Sequence, residues 1–135
     1  MTNKKHDIAV IGMSCWYPGA KSPLELWENI LTKRQQFRKI PDERLPLDKY
    51  QDDDKNVPDM TYGTEAAVLD GFEFDWQGLR IPKKTVEGTD IVHWLALDVA
   101  VKALKDAGYD EKSIKKYNTG VILGNTLTGE WTRTN

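Results

Sequence analysis

The chain is poor in the residues that build disulfides and metal sites. Its 135 residues include one cysteine, Cys15, and two histidines, His6 and His93. A single cysteine excludes an internal disulfide and every metal motif that needs several thiolates. We therefore expect no metal site in this sequence.

The chain also lacks an excess of either charge and a long apolar segment. Nineteen basic and 21 acidic residues give a net charge of −2, which offers no electrostatic reason to expect nucleic acid or an acidic membrane as partner. No apolar run approaches the roughly 20 residues that span a bilayer, and residues 1–6 are polar, without a signal-peptide core. We expect a cytoplasmic protein with neither nucleic acid nor membrane as partner.

Two short apolar runs, at residues 7–13 and 119–124, predict buried strands. The core of the first run, residues 8–11, is unbroken Ile-Ala-Val-Ile without the in-and-out alternation of a half-exposed strand. Helical segments separate the two runs. This order predicts two parallel strands joined by a right-handed crossover, and hence an α/β fold.

Two segments predict amphipathic helices. Residues 22–33 begin with Ser22, Pro23 and, three residues after the serine, Glu25, which is the pattern of a capping box with proline at the first helical position. Residues 90–107 carry a broad apolar face, and Gly108 follows where a helix commonly ends.

The remaining segments predict little regular structure. Prolines and an acidic cluster in residues 35–60 indicate a surface excursion with one helical turn. We predict an extended piece with a glycine kink at residues 68–75, an irregular connection at 78–88 and a short helix at 110–116. No linker or repeat divides the sequence, so residues 1–135 are predicted to form one unit without an internal domain boundary.

Six segments of the chain are informative when taken in order, namely residues 8–15 with 18–20 (IAVIGMSC, PGA), 22–31 (SPLELWENIL), 40–44 (IPDER), 69–75 (LDGFEFD), 96–109 (ALDVAVKALKDAGY) and 119–125 (TGVILGN). Together they resemble the N-terminal portion of the ketosynthase (β-ketoacyl synthase) domain of type I polyketide synthases, over nearly the whole chain. The resemblance implies the N-terminal part of the thiolase-like layered α/β/α/β/α fold.

Three segments depart from the family pattern. Trp16-Tyr17 stands where an Arg-Phe pair is usual, residues 88–94 replace the common Asp-Pro-Gln-Gln-Arg run, and residues 126–131 are not the commonest form. These departures suggest a divergent subfamily and leave open whether the parent is an iterative or a modular synthase.

For the parent protein, the resemblance implies decarboxylative Claisen condensation of acyl and malonyl thioesters. The substrates would be carried on the phosphopantetheine of an acyl carrier protein, and the partners would include that carrier, neighbouring synthase domains and a second copy in a homodimer. A cysteine nucleophile, two histidines and an oxyanion hole do this chemistry in the family. None of those motifs occurs here, so we assign no catalytic, cofactor-binding or metal-binding residue and expect the chain alone to be inactive.

The reactive side chains that do occur have simpler interpretations. Cys15 is interpreted as a small buried hydrophobe, since it follows the first run and has no histidine in a recognisable motif. His93 is interpreted as a packed or surface residue and His6 as solvated. The three acids at residues 52–54 are interpreted as a solvated cluster rather than a Mg²⁺ or Ca²⁺ site.

Two alternatives of other classes remain open. The first is a non-catalytic docking or dimerisation module derived from a ketosynthase. The second is a nucleotide-binding α/β protein, which NAD or ATP would stabilise, although Gly12 and Gly19 lack the Gly-x-Gly-x-x-Gly spacing. The tryptophans Trp27, Trp76, Trp94 and Trp131 are interpreted as core or interface anchors, because no basic patch accompanies them.

Overall fold

A computed structural model describes residues 7–125 of the chain. The elements are α1 (Pro23–Leu31), β1 (Arg38–Lys39), α2 (Leu47–Tyr50), β2 (Glu65–Ala66), α3 (Lys83–Glu87), α4 (Ile91–Asp106) and α5 (Glu111–Ile114). The described residues divide into two compact units, one of residues 16–71 and one that joins residues 7–15 to 72–125. No helix within residues 7–125 is long and apolar enough to cross a membrane.

In the 16–71 unit, α1 forms where the capping pattern predicts it. The Ser22 hydroxyl accepts the backbone N–H of Glu25 at 3.2 Å, and Pro23 occupies the first turn. The donor to Glu25 is shifted by one residue from the capping-box pattern, since the Glu25 carboxylate accepts the N–H of Lys21 rather than that of Ser22. Thr32 caps the C-terminal end of the helix, and its N–H donates to the Glu28 carbonyl.

The proline-rich segment of the same unit contains the single helical turn that was predicted, α2. Around it the chain forms a two-stranded antiparallel ribbon that the sequence did not predict, with Arg38 opposite Ala66 and Lys39 opposite Glu65. Each strand of the ribbon has only two residues, which is too few for an alternating pattern. Sequence periodicity therefore cannot predict such a ribbon.

In the other unit, α4 begins and ends close to the predicted positions. Asp90 caps it by accepting the Val92 N–H at 3.0 Å, and the Lys102 ammonium lies 2.7 Å from the Asp98 carboxylate. Gly108 takes the left-handed conformation, with φ of 80°. The N–H of Tyr109 donates to the Leu104 carbonyl, which satisfies one of the last carbonyls of the helix.

Two shorter helices flank α4. The predicted short helix is present as α5, capped by Asp110. The predicted irregular connection is partly wrong, since α3 occupies residues 83–87 within it. Pro82 at the N-cap and an ion pair between Lys83 and Glu87 at 3.4 Å account for this turn of helix.

The two apolar runs are not strands in this structure, which corrects the predicted parallel pair. Neither residues 7–13 nor residues 119–124 form a strand, and their side chains are exposed, with Ile8 at 96% and Ile122 at 97%. A strand that is apolar on both faces needs a sheet neighbour and a covering layer. Within the described ranges the only sheet is the β1–β2 ribbon, so the runs remain extended and uncovered.

Candidate functional site

The nucleophile and base candidates sit in ordinary surroundings. Cys15 is half-buried directly after the first apolar run, whereas His93 is exposed in the first turns of α4. Across residues 7–125 no group of three potential ligands could hold a metal ion. His6 lies outside the described residues. The absence of catalytic, cofactor and metal residues in this chain stays a prediction.

The acidic cluster at residues 52–54 uses its oxygens within its own loop. Asp52 accepts the Asp54 N–H at 2.8 Å, and one oxygen of Asp54 accepts both the backbone N–H and the side-chain amide of Asn56, at 3.0 and 2.8 Å. These are local turns of the kind that Asp and Asn commonly form. These bonds give Asp52 and Asp54 a structural role within the loop.

The first apolar run is seated on the last two turns of α4. A Cβ added at Gly12 would overlap the Ala103 carbonyl oxygen and would lie 2.8 Å from the Ala107 Cβ, so only glycine allows this approach. One residue on, the N–H of Met13 donates to the Asp106 carboxylate at 2.8 Å. The run is thus fixed at one point although its side chains are exposed.

Asp106 is the positioning residue that the sequence reasoning missed. A carboxylate in the last turn of a helix faces the negative end of the helix dipole, where a cation is favoured. That mismatch was a usable signal that Asp106 has a partner elsewhere. The partner is the Met13 N–H, 93 residues away in sequence.

In the 16–71 unit, a tight turn follows the apolar run. Tyr17 and Ala20 exchange two backbone hydrogen bonds of 2.8 and 3.0 Å, and Gly19 between them has φ of 68°. The Asn29 side-chain amide donates to the Gly19 carbonyl at 2.8 Å, and Asn29 is 7% exposed. A buried amide from α1 therefore holds the turn, while the Gln36 side chain packs against Gly19.

Trp94 packs against Phe74 and lies beside the backbone of Val86. Its ring stacks on Phe74 with centroids 4.8 Å apart, and its indole N–H donates to the Val86 carbonyl at 3.3 Å. This contact fits the predicted anchoring role. Trp27 is 56% exposed on α1 and is not a core residue here, and Trp131 lies outside the described residues.

The chain is similar to one protein family over nearly its whole length. The family described as "Beta-ketoacyl synthase, N-terminal domain" matches residues 5–135. Polyketide synthase PksL of Bacillus subtilis is 37% identical over 118 residues, which are 87% of this chain and 3% of that protein. The chain therefore corresponds to a small part of this much longer relative.

Two solved structures resemble the described fold. The ketosynthase from module 6 of the bacillaene synthase from Bacillus subtilis 168 superposes with a TM-score of 0.68 at 34% identity, covering 78% of this chain and 18% of that one. The oxazolomycin ketosynthase domain OzmH KS7 of Streptomyces albus JA3453 gives a TM-score of 0.73 at 23% identity, covering 79% and 19%. At that lower identity the second likeness concerns the fold alone.

Proposed function

Because the chain belongs to the β-ketoacyl synthase family, as an N-terminal portion of a polyketide synthase ketosynthase domain, we propose that its parent performs decarboxylative Claisen condensation. The predicted fold class is confirmed, since the solved neighbours are ketosynthase domains of the thiolase-like fold. The match over residues 5–135 is the observation that carries the proposal.

We propose that acyl and malonyl thioesters reach the parent on the phosphopantetheine of an acyl carrier protein. Neighbouring synthase domains and a second copy in a homodimer complete the proposed partners. The proposal gives this chain a scaffolding role, with residues 1–135 as one part of a single domain. The cytoplasmic location stays a prediction from the sequence.

The test exchanges this chain for its counterpart in a working enzyme. Residues 5–135 replace the matching segment of the PksL ketosynthase, and condensation of acyl and malonyl carrier proteins is followed by mass spectrometry. We expect the chimera to elongate the acyl chain and its Cys15→Ser variant to do so equally well. A folded chimera that takes up acyl chains but forms no new carbon–carbon bond contradicts the proposal.

The chain alone is proposed to be catalytically inactive. Incubated with an acyl thioester, it should show no stable acyl adduct on Cys15, because this half-buried thiol follows the apolar run without a base in a recognisable motif. Cys15→Ser serves as the mass-spectrometric blank. Stoichiometric acylation of Cys15 would overturn this part of the proposal.

The exposed apolar runs favour a second candidate, a docking or dimerisation module derived from a ketosynthase. Val10 is 81% exposed and Val121 is 77% exposed, and surfaces of this kind mark association sites. Co-expression with the PksL ketosynthase, with and without its own N-terminal segment, tests it. Selective co-purification with the shortened domain supports docking through these runs, and equal failure with both forms speaks against it.

A further inference from the structure

A cavity of about 370 Å³ opens in the 16–71 unit, beside the turn at residues 17–20 and the segment at residues 68–71. Its volume falls within the range of small-molecule sites, roughly 300–1,000 Å³. The lining of the cavity includes the side chains of Trp16, Lys21, Glu25, Gln36, Arg38 and Asp70.

Two glycine turns shape the walls of this cavity. Gly19 and Gly71 both have the left-handed conformation, with φ of 68° and 62°. The Gln36 side chain packs against Gly19, and the Lys21 ammonium lies 3.5 Å from where a Cβ on Gly71 would stand. The cavity is therefore bounded by backbone whose conformation is set by glycine, rather than by flexible side chains alone.

Three of the four charged side chains in the lining already have a partner within the protein. Arg38 pairs with Asp70 and also donates to the Val68 carbonyl at 3.5 Å. The carboxylate of Glu25 accepts the Lys21 backbone N–H at the positive end of α1. Both carboxylates and the guanidinium are therefore engaged by groups of the protein itself.

The fourth charged group in the lining is the ammonium of Lys21. It lies 5.1 Å from the centroid of the Trp16 ring in a cation–π contact, and within residues 7–125 the ion pairs of the structure do not include it. A cation held over an aromatic ring is oriented and only partly neutralised. The amide of Gln36 belongs to the same lining and has N–H donors of its own.

We propose that this cavity binds a small organic acid, with its carboxylate on Lys21 and its apolar body beside Trp16 and Val68. The ammonium and the Gln36 amide supply donors to the carboxylate, and the indole supplies the apolar wall. The inference rests on this cavity and does not depend on the condensation chemistry proposed above.

The test uses benzoate as the probe and the uncharged benzamide as its match in shape. Each is titrated into the full 135-residue chain, and the amide resonances of Gly19 and Gly71 and the indole N–H of Trp16 are followed by NMR. Benzoate should shift these signals and bind roughly tenfold more tightly than benzamide, because only the carboxylate forms an ion pair with the Lys21 ammonium. Added salt should weaken the binding of benzoate and leave the binding of benzamide unchanged.

Variants and a second acid locate the site. Lys21→Met should weaken benzoate roughly tenfold, whereas Lys21→Arg should keep it and Lys49→Met, on α2, should leave it unchanged. Acetate should bind more weakly than benzoate, since it lacks the apolar body. Equal binding of benzoate and benzamide in the unaltered chain, or shifts that spare Trp16 and Gly71, would overturn the proposal whatever the variants do.

Discussion

At the scale of single residues, Gly12 determines how closely the first apolar run approaches α4. Gly12→Ala places a methyl group against the Ala103 carbonyl and the Ala107 Cβ, so we expect a loss of about 1–3 kcal/mol in the free energy of unfolding. Urea denaturation followed by circular dichroism measures it. Gly120→Ala is the matched control, because an added Cβ there meets nothing within 4 Å. Equal losses in both variants would contradict the close packing.

The carboxylate of Asp110 should give a pH dependence to α5. The Ser113 hydroxyl and then the Ser113 backbone N–H donate to it and lower its pKa below the ordinary value of 3.8. A pKa lowered by folding stabilises the fold above the unfolded value, and this contribution disappears as the pH falls through the folded pKa. Helix α5 should therefore loosen only below about pH 3.8.

Carbon-13 NMR of the Asp110 carboxyl group measures that pKa directly. Ser113→Ala removes the hydroxyl donor and should raise the pKa of Asp110 towards 3.8, while Ser113→Thr keeps a hydroxyl and should preserve the lowered pKa. An identical titration curve in the alanine variant would show that the hydroxyl does not set the pKa.

At the scale of elements, α1 depends on its cap. Ser22→Ala leaves the Glu25 N–H without its side-chain acceptor, and we expect a loss of about 1 kcal/mol in the stability of the 16–71 unit. Amide exchange of residues 25 and 26 reports the loss. Ser22→Asp retains an acceptor and should behave as the unaltered chain does, so equal exchange rates in the two variants would count against the cap.

The helices are the elements that sequence reasoning predicted well, and the reason is local. Ser22, Asp90 and Gly108 act on backbone groups within a few residues, so their effect is visible in the sequence itself. The ribbon between residues 38–39 and 65–66 depends on a pairing across 26 or more residues, for which a two-residue strand carries no pattern. The contact of Gly12 with the end of α4 likewise joins residues that are far apart in the sequence.

At the scale of the whole molecule, the apolar runs should make the chain self-associate. Ile8 and Ile122 are almost fully exposed, and exposed apolar segments that lie outside a sheet promote association between chains. We expect the mass from light scattering to rise with concentration, and the double variant Ile8→Lys with Ile122→Lys to stay close to the monomer mass. Met60→Lys, at a 42% exposed site outside the runs, is the control and should associate as the unaltered chain does.

The same runs explain which part of the architecture the sequence could predict. The resemblance of six ordered segments, both runs among them, identified the family and its layered fold, whereas the strand pairing predicted from the runs themselves is not found within residues 7–125. Pairing in this structure requires neighbours that residues 7–125 do not supply to Val10 or Ile122. The hydrogen bond between Met13 and Asp106 joins residues 93 positions apart, so no pattern in the sequence pairs them.

The stack of Trp94 on Phe74 gives the protein an intrinsic optical reporter. An indole whose N–H is bonded to the Val86 carbonyl and whose face is covered emits at shorter wavelength than one in water such as Trp27. Because the sequence has five tryptophans, the difference between the emission of the unaltered chain and that of its Trp94→Phe variant isolates this indole. That difference reports whether α4 still packs against Phe74, without any label.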